Sequence, residues 1–250
     1  MSHSIDILII GAGVTGLTTA YNLRHAGLKT LILEARARIG GRTWSVSTED
    51  DAGPFDLGAA WVSSNQPYVR RLAEELGINT FLEFESGNHI IDGGPHVPIQ
   101  QAPAPGNEDY SYRLEGGAQS ICDRLAACLP EELIALNNPV QTIQQQDDSI
   151  EIETRAGHRY KARYVIVTLP PQLALHTVAY EPPLPDRVQQ AMAWTQTWMG
   201  RAMKVVVSYQ RPFWCDKGLS GIGVSFEGPV FRFHDASTAD HTHAALFGWV

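Results

Sequence analysis

Three glycines constrain this chain more than any other feature. Gly11, Gly13 and Gly16 stand in GAGVTG, between the apolar run Ile5–Ile10 (IDILII) and a stretch of helical spacing over 14–26. An Ile-rich run of this length reads as a strand buried on both faces, as in a parallel sheet. The first glycine permits a tight turn. The second lets a pyrophosphate approach the backbone, and the third lets helix pack on strand. The helix start then offers free N–H groups and a positive dipole end to phosphate. Gly27 closes the helix, and KTLILE (29–34) supplies a second buried strand. Glu34 ends that strand, 18 residues beyond Gly16, where a carboxylate can accept hydrogen bonds from both ribose hydroxyls. A 2′-phosphate would be repelled there, which disfavours NADP. The pattern implies a dinucleotide-binding crossover that opens a doubly wound α/β sheet; alone it does not separate NAD from FAD.

Beyond this unit the periodicity alternates. Val69, Leu72, Ala73 and Leu76 mark a helix over 66–76, ended by Gly77. HIIDGGPHVPI reads as a hairpin turning at Asp92-Gly93-Gly94, and QAPAPGNED after it as an exposed loop. Helical spacing returns over 118–129. SIEIET (149–154) alternates with period two, turns at Ala156-Gly157 and continues to Pro170. A helix over 186–199 takes Asp186 as its N-cap, 202–209 is a strand, and 225–250 holds strand-like pieces ending in ALFGWV. A chain that stops at such an apolar strand implies pairing with something further.

Composition narrows the function class. A net charge of −8 with no long basic run argues against nucleic acid, since phosphate neutralisation needs clustered Lys and Arg. Hydrophobic residues at 44% exclude disorder. Cys122, Cys128 and Cys215 form no CxxC pair, and their odd number points to a reduced compartment. Cys122 and Cys128 read as helix-core residues. His241 and His243 read as decoration on a surface strand, and no metal site is expected. No apolar run reaches the ~18 residues of a spanning helix. The first apolar run lacks a basic leader, so a cytoplasmic location is the default expectation.

EARARIGGRTWS follows Glu34 directly. With it the sequence resembles the flavin-containing amine oxidases, the group of monoamine, polyamine and L-amino-acid oxidases, whose pattern LEAR-x-R-x-GGR-T it carries. Physically, Gly40 and Gly41 let the backbone pass close to a cofactor, and Arg42 can add a charge-assisted bond to the pyrophosphate. Arg36 belongs to the same segment; Arg38 reads as readily as a solvated surface charge. FDLGAAWV (55–62) resembles the family's segment beneath the flavin ring, which places Gly58, Ala60 and Trp61 near the cofactor. Ala59 stands where the family usually has glycine. RLEGGAQSICDRLA resembles the glycine-paired helix start, with Gly116 and Gly117 matching. Asn138-Pro139-Val140 resembles the strand whose Val140 backbone would bind adenine, and YVIVTLPP the later strand that ends at Pro170. MGRAMKVVVSYQRPFW resembles the strand of the flavin-facing lysine, here Lys204, with Trp214 closing it.

The resemblance implies a doubly wound Rossmann-type FAD-binding domain over 1–80 and 114–178. A partial substrate domain on a mixed or antiparallel sheet would occupy 81–113 and 179–250. It implies FAD as cofactor, an amine or amino acid as substrate, hydride transfer to flavin N5, and reoxidation by O₂ to H₂O₂. Lys204 would hold a water at the flavin. Two parts of the family pattern are missing. One is a long helical insertion between Gly77 and Gly116, and the other is the C-terminal part with its aromatic cage. A second polypeptide or self-association would then cover the open side. Two alternatives remain, a non-catalytic FAD-binding subunit or fragment and a flavin desaturase or isomerase. An NAD-dependent dehydrogenase is disfavoured by GGR.

Overall fold

The structure is a computed structural model that describes residues 5–49, 52–103, 111–197, 200 and 202–250. In chain order its first elements are β1 (Ile5–Ile10), α1 (Val14–Leu23), β2 (Thr30–Leu33), β3 (Ser45–Val46), β4 (Phe55–Asp56) and β5 (Val62–Ser63). Next come α2 (Pro67–Glu75), β6 (Thr80–Leu82), β7 (Asn88–Asp92), β8 (Gln100–Pro103), β9 (Ser111–Leu114) and α3 (Gln119–Ala127). They are followed by β10 (Ile134–Ala135), β11 (Val140–Gln145), β12 (Ile150–Thr154), β13 (Arg159–Val167), α4 (Pro171–Thr177) and β14 (Ala179–Glu181). The last are α5 (Asp186–Trp194), β15 (Lys204–Tyr209), β16 (Leu219–Ser225), β17 (Arg232–Asp235) and β18 (Ala244–Trp249).

The chain divides into two compact units, 1–41 with 122–200, and 42–121 with 201–250. The division falls elsewhere than the expected boundaries near 80, 113 and 178, for pairing reasons. Both β5 and β6 pair with β9, which ties 62–82 to 111–114. β14 pairs with β11, and Gln172 Nε2 donates to the Ala193 carbonyl between α4 and α5, which keeps 179–194 with the first unit.

The first unit is built on a seven-stranded sheet of order β10-β2-β1-β13-β12-β11-β14. β10, β2, β1 and β13 run parallel, and β12 and β11 return as an antiparallel excursion. β1 is central, which is why its sequence is apolar on both faces. Leu8, Ile10, Leu33, Ile143, Ile152 and Ala162 pack together in the core on one side. α1 lays Leu17, Ala20 and Tyr21 into the interior, and Gly27 at φ +70 turns the chain toward β2. The second unit holds a six-stranded sheet of order β15-β18-β17-β16-β7-β8, antiparallel except for β16 against β7. Phe55, Ala236, Ala245 and Phe247 form a buried cluster there, with Trp61, Val206 and Trp249 against it.

Three sequence expectations are corrected. Asp186 is the first helical residue of α5, not its cap; Pro185 takes the N-cap position, and Asp186 instead sits in the dipole-favoured first turn. Cys122 is buried, but Cys128 follows the last residue of α3 and is exposed. His241 lies in the β17–β18 connection at φ +57, its ring edge-on to Phe84 at 3.9 Å, rather than on a strand. The Pro-rich loop and the end of the expected 186–199 helix fall partly outside the described residues. No described helix is long and apolar enough to cross a membrane.

Leu8 is fully buried on the central strand. Leu8→Ala should therefore lower unfolding stability by ~2–5 kcal/mol through lost transfer energy and a residual cavity, read from the denaturant midpoint.

Candidate functional site

The residues singled out from sequence fall into two clusters, one in each unit. The first lies at the carboxyl ends of β1, β2 and β13, where β1 crosses through α1 to β2 on one side and pairs with β13 on the other, and the carboxyl edge is where open α/β sheets bind ligands. Gly13 is the N-cap of α1, at φ −81 and ψ −178, and no side chain caps the helix or places a negative charge in its first turn. The N–H groups of that turn and the dipole are left for an anion. The glycines divide the labour. A Cβ on Gly16 would stand 1.9 Å from the Gly11 carbonyl oxygen, so Gly16 is needed for packing. A Cβ on Gly13 would meet nothing closer than the Gly40 carbonyl at 3.9 Å, so the space over Gly13 is open.

Glu34 is 6% exposed. Its Oε2 accepts from the Ala12 N–H at 2.8 Å and its Oε1 from the Arg36 N–H at 2.9 Å, so one carboxylate ties the glycine loop to the end of β2. Each oxygen keeps a lone pair for a ribose hydroxyl. Gly40 bonds Ala12 through its N–H, and a Cβ on Gly41 would meet Gly13 Cα at 3.3 Å; the second glycine pair packs on the first loop, backbone to backbone. The Arg38 guanidinium donates to the Ile39 and Gly41 carbonyls and so braces that loop from within. Arg36 is exposed. Val140 opens β11 at a register irregularity against β12, just after Asn138, whose N–H bonds the Glu34 carbonyl. Pro170 is the N-cap residue of α4, two residues beyond Thr168, which bonds Ile10 and Gly11. An adenine dinucleotide fits this edge: an uncapped helix start, a space that a Cβ would fill, and a carboxylate at ribose position.

The second cluster surrounds Lys204. Its Nζ donates to the Gly58 carbonyl at 2.8 Å and the Asp56 carbonyl at 3.1 Å. The rings of Phe247, Trp249 and Trp61 lie 4.4, 5.2 and 5.5 Å from it. Burial pulls Lys204 down to about 8; Asp56 opposes that shift and Arg113 adds to it. Gly58 must be glycine, since a Cβ would stand 2.2 Å from the Arg42 carbonyl oxygen. Ala59 is exposed, so its methyl is accommodated outside the packed interior. Ala60 is buried, and Arg42 is exposed.

Asp56, Arg113, Asp235, His234 and Glu83 carried no signal of their own, whereas Gly117 and Trp214 matched the family pattern. Asp56 is buried and accepts from Ser45 Oγ at 2.5 Å and from the Ala118 N–H at 2.9 Å; burial pushes its carboxyl up, against those two bonds. Gly117 leaves no room beside it, because a Cβ would lie 2.5 Å from Ser45 Oγ. Arg113 donates to the carbonyls of Ser237 and Ala236, and Trp214 Nε1 to Asp235 at 2.7 Å. His234 faces Glu83 at 3.3 Å. Asp56 stood inside a quoted motif, next to Gly58, and that adjacency was the available clue. A groove of about 120 Å³ between β11 and β12 holds none of these residues, only strand side chains such as Glu153 and Arg159, paired at 3.2 Å. Among the described residues no cluster of His, Cys, Asp and Glu could hold a metal.

The parallel edge of the first unit has the form of a dinucleotide-binding crossover. Comparison with known proteins makes this specific. Residues 14–105 and 96–250 match the family described as flavin containing amine oxidoreductase, and the chain belongs to it. A probable flavin-containing monoamine oxidase A of Dictyostelium discoideum is 26% identical, covering all of this chain and 75% of that protein. Putrescine oxidase of Kocuria rosea is 25% identical over 98% of this chain and 73% of its own length. The solved structure of wild-type putrescine oxidase bound to putrescine superposes with a TM-score of 0.85 at 22% identity, over all of this chain and 76% of that one. The cofactor of this family is FAD. The Dictyostelium alignment spans 349 positions against 250 residues here, so the relative carries internal residues with no counterpart in this chain. The two matched segments overlap at 96–105.

Two outcomes are expected. Gly13→Ala should fold like the wild type, since its Cβ has room, yet lose FAD affinity at least ~10-fold by filling the phosphate approach, whereas Gly16→Ala should lower Tm; flavin fluorescence and thermal melts separate the two. Asp56→Asn keeps the Ser45 and Ala118 acceptor but removes the charge that holds Lys204 up, so Lys204 should titrate below about 8. The pH dependence of Lys204 reductive methylation, followed by mass spectrometry, reads this directly. In the wild type the folded value lies below the ordinary 10.5, so the unfolded chain binds the proton more tightly. Stability should rise with pH between about 8 and 10.5.

Proposed function

We propose that this chain binds FAD along the carboxyl edge of its parallel strands and takes part in oxidising an amine at its α-carbon. The observation that carries the reading is Lys204, a buried cation held by two carbonyls and three rings, on the strand that resembles the family's lysine strand. When bound, FAD supplies the hydride acceptor and, through reoxidation by O₂, the route to H₂O₂. The chain's own contributions are separate. Gly11, Gly13 and the start of α1 take the diphosphate. Glu34 takes the ribose and Val140 the adenine. Gly58, Ala60, Trp61 and Lys204 form the wall toward the ring, where the Lys204 ammonium can hold a water or release its proton near neutral pH.

A second reading, a flavin-binding subunit without its own turnover, draws on the internal residues of the relatives that this chain lacks. The same absence, with exposed Val205, Val207 and Tyr209 on edge strand β15, supports a covering second polypeptide or self-association. Three free cysteines agree with a cytoplasmic location.

Purified chain reconstituted with FAD should show a bound-flavin visible spectrum and bleach anaerobically with a primary amine such as benzylamine. Bound flavin that no amine or amino acid bleaches would select the second reading. A preparation that stays colourless with added FAD would remove both.

A further inference from the structure

The six-stranded sheet places a titratable side chain, His234, on the face that carries Lys204, and Glu83, just after β6, lies against it. Lys204 pairs with Trp249 and Val206 with Phe247; Trp249 pairs in turn with Arg232 and Phe247 with His234. Cross-strand partners and alternate residues share a face, so His234 and Lys204 look out from the same side with Phe247 between them. The contacts agree. Phe247 lies 4.4 Å from Lys204 Nζ and stacks on the His234 ring at 5.2 Å and 7°, and Trp61 stands edge-on to His234 at 5.2 Å.

His234 and Glu83 are both more than nine-tenths buried, with side chains 9% and 6% exposed. Nδ1 and Oε1 approach to 3.3 Å, within ion-pair range but not in hydrogen-bond orientation, so both atoms lack a hydrogen-bond partner. His89 Nε2 and Trp61 Nε1 are buried beside them in the same condition. Buried polar atoms without partners are destabilising, and these four together mark a place built for something other than stability. The charged and titratable groups acting on the pair are Glu85 and His89 around β7 and Arg113 on β9, while Arg232 on β17 acts on His89.

We infer that His234, backed by Glu83, is the base that takes the proton from an incoming alkylammonium ion on the Lys204 face of this sheet. The inference rests on the amine-oxidation reading, because an amine is protonated in neutral water and must be neutral before its α-carbon can give up hydride. In the step, R–CH₂–NH₃⁺ loses one proton to the imidazole, giving R–CH₂–NH₂ and imidazolium, with no electrons exchanged. Nδ1 is the nitrogen toward Glu83, which leaves Nε2 to accept. Glu83 is a positioning residue: its carboxylate lies 3.3 Å from Nδ1 and compensates the imidazolium. Lys204 has a different place on this face: its Nζ donates to the Asp56 and Gly58 carbonyls, which fix it as the neighbouring cation.

The test counts protons. The FAD-loaded full chain is titrated calorimetrically with tert-butylamine, which has no hydrogen on the carbon beside nitrogen and is not turned over. The titration is run in phosphate and in Tris at one pH, and the difference in heat gives protons released per amine bound. The wild type should release close to none, because His234 keeps the proton. His234→Gln and His234→Asn, each checked for an unchanged melt, should release about one. Glu83→Gln should fall between. Equal release by wild type and both His234 variants overturns the inference, as does a full proton released by the wild type or no amine binding at all. If proton release ignores His234 while a primary amine still bleaches the flavin, the inference fails and the amine-oxidase reading stands. If the proton count shifts but nothing bleaches the flavin, the reverse holds.

Discussion

Everything at the nucleotide edge depends on one carboxylate held between two backbone N–H groups. Glu34 receives Ala12 on one oxygen and Arg36 on the other, and so joins the loop after β1 to the segment after β2. Both donors would otherwise be stranded where chain turns away from sheet, at a cost comparable to a lost hydrogen bond each. The bonds also aim the carboxylate, so binding a sugar would require little reordering of the side chain. The close packing of Gly41 on Gly13 acts with it. Two glycine loops distant in sequence become one surface because neither carries a Cβ at their contact.

How legible a residue was depended on the sequence distance over which its role is set. The first crossover was readable because its determinants are local: strand, glycines and helix lie within 5–27, and Glu34 is fixed by the length of one βαβ unit. The helix and strand assignments held for the same reason, and their errors were of cap and boundary. Pro185 displaced Asp186 as cap because a proline's fixed φ suits the residue entering a helix, whatever side chain follows it. The second cluster was visible only in pieces. Gly58, Trp61 and Lys204 could be named by resemblance, but their convergence follows from pairings such as Lys204 with Trp249, which no local pattern encodes. Arg113 with Ser237, and Glu83 with His234, bridge well over a hundred residues and appear only once strand order is known. The domain boundaries follow the same rule, since β5 and β6 are assigned by a partner strand that comes later in the chain.

The electrostatics of the lysine cluster follow from the choice of partners. A buried ammonium paired to a carboxylate would be held charged, well above neutrality. Here the direct partners are carbonyl dipoles and aromatic faces, which offset only part of the lost hydration. The Asp56 carboxylate contributes from beyond its own carbonyl, with Oδ1 engaged by Ser45 and Ala118 instead. Arg113, bonded to carbonyls rather than to an acid, adds an opposing positive charge. The result is a lysine poised near 8, able to exist in both protonation states under ordinary conditions.

That balance bears on the neighbouring face of the sheet. A cation approaching a charged Lys204 meets repulsion that aromatic rings alone do not cancel, so on the proposed reading an uncharged amine is the form this surface would admit. A group that strips the proton must lie within reach of the same face, yet be shielded from the lysine's own charge. Phe247 stands between Lys204 and His234 and supplies the separation, while Glu83, on the far side of the imidazole, supplies the negative charge. The alternation of one β-sheet face thus sets a cation, an aromatic spacer and a carboxylate-backed base in sequence, on the adjacent strands β15, β18 and β17.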